Sequence, residues 1–117
     1  VNPRTLETQF PGTYAIGDVV QIAMPNGKPL PKAGVFAEAM GETVADRIAA
    51  TFAGQEPEAT FKGEGGCYLE VGAGQAMMVK GNFLAEPEPE VMLTEASPKY
   101  LEEKRVFETQ RLQTWFD

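Results

Sequence analysis

An aspartate closing a short apolar run, a single cysteine and the absence of histidine define the chemistry open to this 117-residue chain. The run is FPGTYAIGD, residues 10–18, and Asp18 stands at its end directly after Gly17. A buried, unpaired carboxylate is costly, so an acid at the tip of an apolar segment needs either water or a ligand that donates hydrogen bonds. Cys67 is the only thiol. It cannot form an internal disulfide, and it serves either as buried packing or as reactive sulfur. Without histidine the commonest general base and the commonest metal ligand are missing, so a self-sufficient hydrolase is not expected and neither is a metal site.

Charge narrows the partners. Ten basic residues face 17 acidic ones, a net −7, which gives no electrostatic footprint for nucleic acid or for strong attraction to an anionic membrane. Hydrophobic residues make up 43% of the chain, enough for one core in a domain of this length. No apolar stretch is long enough to span a bilayer and nothing reads as a secretory signal. The opening residues VNPRTLETQ lack an initiator Met and read as the interior of a longer polypeptide.

These residues need elements to position them. TYAIGDVV (13–20) mixes β-branched and aromatic residues with a glycine break, which predicts a buried strand and a turn. MPNGKPLPK (24–32) is a loop by its prolines and its Asn-Gly pair. A helix is predicted over 32–53, with Phe36, Met40, Val44, Ile48 and Phe52 recurring every fourth residue and Gly54 as the stop signal. A second row, Ala37, Gly41, Ala45 and Ala49, is uniformly small, and Gly41 suggests either helix-on-sheet packing or close approach of a backbone or flat ligand.

Beyond residue 56 the texture becomes β. Short strands are predicted at 59–63, 67–71, 75–84 and 90–95, with GAG (72–74) as a tight hairpin and Pro87 and Pro89 marking a longer bend. Ser97 and Pro98 open a terminal amphipathic helix over 97–116, its apolar side available to the meander or to a membrane interface. The fold class expected is α+β. The strand and helix of 1–56 form the first part, and the antiparallel meander with its terminal helix over 57–117 forms the second.

TQFPGTYAIGD resembles the second FAD-binding motif of two-dinucleotide-binding-domain flavoproteins, and PLPKAGVFAEAMGETVADRI (29–48) resembles the helix that follows it in sulfide:quinone oxidoreductases, flavocytochrome c sulfide dehydrogenase flavoproteins and type II NADH dehydrogenases. The resemblance implies that residues 1–56 end a Rossmann-like FAD-binding domain. It also implies that Gly17 and Asp18 reach the ribityl chain of FAD, the acid accepting a hydroxyl hydrogen bond. Ala33, Gly34 and Val35 then turn backbone amides to the flavin's pyrimidine edge and Lys32 adds a positive charge. A helix N-terminus favours the negative charge that a reduced flavin develops at that edge.

GCYLEVGAGQAMMVKGNFL and KRVFETQRLQTWF are similar to the C-terminal part of the sulfide-oxidising branch. By that likeness Cys67 is one of a redox pair beside the flavin, and Lys104 and Phe107 lie near a quinone. The implied activity passes electrons from sulfide or NADH through FAD to a quinone or cytochrome. The implied partners are the remainder of the flavoprotein chain, the acceptor and a second copy of the protein, with peripheral membrane contact and the compartment left open. No G-x-G-x-x-G fingerprint occurs, so these residues alone are not expected to retain FAD or to turn over. The alternative is a stand-alone, non-catalytic dimerisation or interaction module.

Overall fold

An apolar row spaced strictly by four drifts about 40° around a helix at each step, and that drift shapes the first long element. In the computed structural model, which describes all residues Val1–Asp117, α1 spans Gly34–Phe52. Phe36, Met40 and Val44 are buried on it, but Ile48 is 39% and Phe52 89% exposed. By Phe52 the row has turned about 160° from Phe36. The buried face passes instead to Thr43 and Arg47, which the 3.6-residue repeat keeps beneath Phe36 and Met40. Gly54, at φ +70°, ends the helix as predicted. The N–H of Gln55 donates to Ala50 O and that of Gly54 to Thr51 O, a Schellman closure.

The rest is a three-stranded antiparallel sheet and a second helix. The strands are β1 (Glu64–Gly72), β2 (Gln75–Asn82) and β3 (Glu90–Leu93), ordered β1-β2-β3. The predicted meander and its GAG hairpin are therefore present. Ala73 and Gly74 sit at φ 51° and 71°, the double positive φ that a two-residue type I′ hairpin requires. Helix α2 spans Pro98–Phe116, and the Ser97 side chain accepts from the Lys99 N–H at 3.2 Å as its cap.

Two predicted strands are not formed. Residues 13–16 carry one isolated bridge, Glu7 to Tyr14, and a 3₁₀ turn follows at Gly17–Val19. A strand needs a continuous partner. Here the preceding segment turns away at Leu6, whose φ is 63°, and supplies one bridge only. Residues 59–63 are irregular because their backbone is claimed by side chains. The Arg4 guanidinium donates to Phe61 O and Lys62 O, and that of Arg47 to Ala59 O.

The chain divides into two compact units, Val1–Gly65 with Gly81–Glu90, and Gly66–Lys80 with Val91–Asp117. Position 56 falls inside the first. That unit holds the core: Leu6, Val20, Ile22, Leu30, Phe61, Phe83 and Leu84 join the α1 residues. At its centre the Phe36 ring meets Phe83 edge-on at 5.0 Å and Phe61 at 6.3 Å. Gly65 makes room for it, since a Cβ there would lie 2.5 Å from the Phe36 ring. In the second unit Ala76 is the one buried residue. Its terminal helix has no fully buried side chain; of the apolar side predicted for it, Tyr100 and Leu101 are half-buried while Leu112, Trp115 and Phe116 stay exposed. No helix is long and apolar enough to cross a membrane.

Candidate functional site: a cleft at the start of the first helix

Gly17 adopts φ +71°, a left-handed conformation that suits glycine, and so turns the chain back toward α1. A Cβ on Gly17 would sit 3.6 Å from that of Ala37, so the first member of the small-residue row receives the turn. The second, Gly41, lies against Ile16, with 3.8 Å between a Cβ placed there and the isoleucine tip. The close approach signalled by Gly41 is thus to the protein's own turn. The Gly17 N–H donates to Met40 Sδ at 3.3 Å, a contact that sequence alone did not mark.

Four of the residues named from the sequence meet in this place. Gly17, Asp18, Lys32 and Ala33 line one cleft with Val20, Pro31 and Phe36. The enclosed space is about 10 Å³, enough for a single water molecule. Any larger group would lie across the open mouth. The Asp18 side chain is exposed and its carboxylate has no hydrogen-bond partner in the protein. Lys32 is engaged within the same turn. Its ammonium donates to the backbone carbonyls of Asp18 and of Val20, the latter at 2.6 Å, so it fastens the 3₁₀ turn to the entry of α1.

Ala33 is the N-cap of α1 and makes no side-chain cap bond. The Phe36 N–H turns back to Ala33 O at 3.0 Å. Ala33, Gly34 and Val35 are left with N–H groups that have no helical acceptor, as the first residues of any helix are. A Cβ added at Gly34 would meet nothing within 4 Å. The start of α1, the positive end of its dipole, is therefore open at Gly34, and its N-cap Ala33 shares the cleft with Asp18.

Cys67, Lys104 and Phe107 belong to the second unit. Cys67 lies half-buried on β1 as a free thiol. Lys104 pairs with the Glu70 carboxylate, which is held below the usual carboxylate range chiefly by that hydrogen bond and then by the lysine's charge. On the same strand, burial pushes the Tyr68 phenol up, helped by the charge and hydrogen bond of Glu103. Phe107 is 36% exposed and carries the Arg111 guanidinium 4.9 Å above its ring. No group of His, Cys, Asp or Glu side chains could hold a metal ion.

Sequence reasoning missed two structural cations. Arg47 is 8% exposed and ties α1 to the following loop through Pro57 O and Ala59 O, each at 2.8 Å. Arg4 spans Phe61 O, Lys62 O and Leu84 O. Arg47 was legible in principle, because its position falls on the buried arc once a 3.6-residue period replaces the fourfold row. Compared with protein-family models, with curated proteins and with solved structures, the chain matches none.

Proposed function

We propose that this chain is the C-terminal segment of an FAD-dependent oxidoreductase that passes electrons from sulfide or NADH to a quinone or cytochrome. One observation carries the reading: the exposed Asp18 and Ala33, the N-cap of α1, line one open cleft, so a carboxylate and the start of a helix lie at the same place. A flavin needs both kinds of group, an acceptor for its ribityl hydroxyls and donors for the edge that becomes anionic on reduction. The Rossmann-like character of residues 1–56 belongs to this proposal and draws on α1, since residues 13–16 form no strand here.

The residues fit one edge of such a cofactor and no more. With about 10 Å³ enclosed, the cleft is a wall, and the remainder of the cradle comes from other parts of the parent protein. When bound, FAD supplies the electron transfer itself. Asp18 accepts a hydroxyl hydrogen bond, Gly34 and Val35 donate N–H groups toward the negative edge, and Lys32 holds the turn that carries Asp18. Cys67 would serve as a sulfide-side thiol, and Lys104 with Phe107 would border the quinone. The experiment is the visible spectrum of the parent protein purified from its own start codon. A flavin band that weakens in Asp18→Ala supports the reading, and a colourless protein overturns it.

A second reading, a non-catalytic interaction module, draws on the second unit, where Leu112, Trp115 and Phe116 are 51%, 60% and 78% exposed.

A further inference from the structure

Six residues of α2 line one open groove of about 340 Å³: Lys104, Phe107, Glu108, Arg111, Leu112 and Trp115. Taken about the midpoint between Thr109 and Gln110, they fall into three equidistant pairs, Glu108 with Arg111, Phe107 with Leu112, and Lys104 with Trp115. This matters because an antiparallel pair of identical helices brings each residue opposite its counterpart across the two-fold axis.

We propose that α2 is the homodimerisation element of this protein, pairing antiparallel with the α2 of a second copy about an axis between Thr109 and Gln110. In that register each Glu108 faces the second copy's Arg111, twice per dimer. Each Phe107 packs on a Leu112, and each Trp115 lies over the stem and charge of a Lys104. The guanidinium of Arg111 keeps its place above Phe107 and gains a carboxylate at its outer edge. Both the apolar and the charged contacts are self-complementary, which a chance apolar stripe would not be.

Area and charge agree with this occupant. The exposed fractions of Phe107, Leu112 and Trp115 correspond to roughly 300 Å² of apolar side chain, over a third of the ~800 Å² per partner in a specific interface, and the stems of Lys104, Glu108 and Arg111 add to it. The second unit carries Lys80, Lys99, Lys104, Arg105 and Arg111 against Glu70, Glu95, Glu102, Glu103, Glu108 and Asp117, a net −1 of the chain's −7. Charge repulsion between two copies of this nearly neutral unit is therefore weak. A membrane surface is the poorer occupant, because α2 interleaves both signs and offers no basic stripe. A unit of this size with one buried alanine also needs outside apolar contact to be stable. The inference rests on the second unit alone and does not depend on the flavin reading.

The test is molar mass by light scattering across about 1–100 µM, the range in which a micromolar dimer assembles. Twice the 12.7 kDa chain mass is expected for the wild type, and the monomer for Leu112→Glu. Glu108→Arg and Arg111→Glu should each weaken association about tenfold, and the double reversal should restore it. Because these side chains reach the surface, circular dichroism of each monomer should be unchanged. A wild type that stays monomeric overturns the proposal, whether or not it co-floats with phosphatidylcholine/phosphatidylserine vesicles. So does a dimer that survives Leu112→Glu, or a double reversal that does not recover.

Discussion

The two units of this molecule use hydrophobic side chains in opposite ways. The first folds Phe36, Phe61 and Phe83 into an edge-to-face cluster and closes its backbone with two buried or half-buried arginines. The second spends Phe107, Trp115 and Phe116 on a helix that buries none of them fully. Composition does not separate these cases; the period does. In α1 the buried residues occupy one arc at 3.6-residue spacing, with a partner surface across from it. In α2 the aromatic residues are interleaved with Lys104, Glu108 and Arg111, so no side of the helix is apolar enough to enter a core.

The contrast breaks most visibly at Phe36. Phe36→Ala should cost about 3–5 kcal/mol of unfolding free energy, read by chemical denaturation. Leu112→Glu should leave monomer stability within about 0.5 kcal/mol. Equal losses at the two sites would erase the distinction between the units. Next in size, Gly65→Ala forces a methyl to within 2.5 Å of a ring that is 2% exposed. A loss of about 1–3 kcal/mol is expected in thermal denaturation.

In the second unit the effects are smaller and can even be favourable. Ala73 holds φ 51° in the hairpin, so Ala73→Asn should stabilise the β1–β2 turn by up to about 1 kcal/mol, seen as slower amide exchange in that hairpin. The pH effect is smallest. Because Lys104 lowers the folded Glu70 value, this contact contributes stability above the ordinary glutamate pKa and loses it as pH falls through the lowered one. In Glu70→Gln that part of the acid limb should be absent from a stability–pH series.

Much of this was written locally. Gly54 ended α1, Ser97 and Pro98 opened α2, and GAG turned the hairpin, because caps and tight turns depend on a few neighbouring residues. What failed was non-local. The stretch 13–16 has strand composition, but pairing depends on a partner that Leu6 turns aside. Residues 59–63 lost their ladder to Arg4 and Arg47, cations distant in sequence. At the cleft the residue types were legible, and Gly17, Asp18, Lys32 and Ala33 do meet. The two carbonyl contacts of Lys32 were not, since sequence does not say which acceptors an ammonium reaches.

The proposed flavin contact can be tested directly by titrating isotopically labelled protein with FAD and following its backbone amide resonances. The account predicts weak binding with shifts confined to Gly17, Asp18 and Ala33 to Val35, and lost in Asp18→Ala. Unmoved resonances at these positions at saturating FAD, or shifts centred elsewhere in the chain, would contradict it.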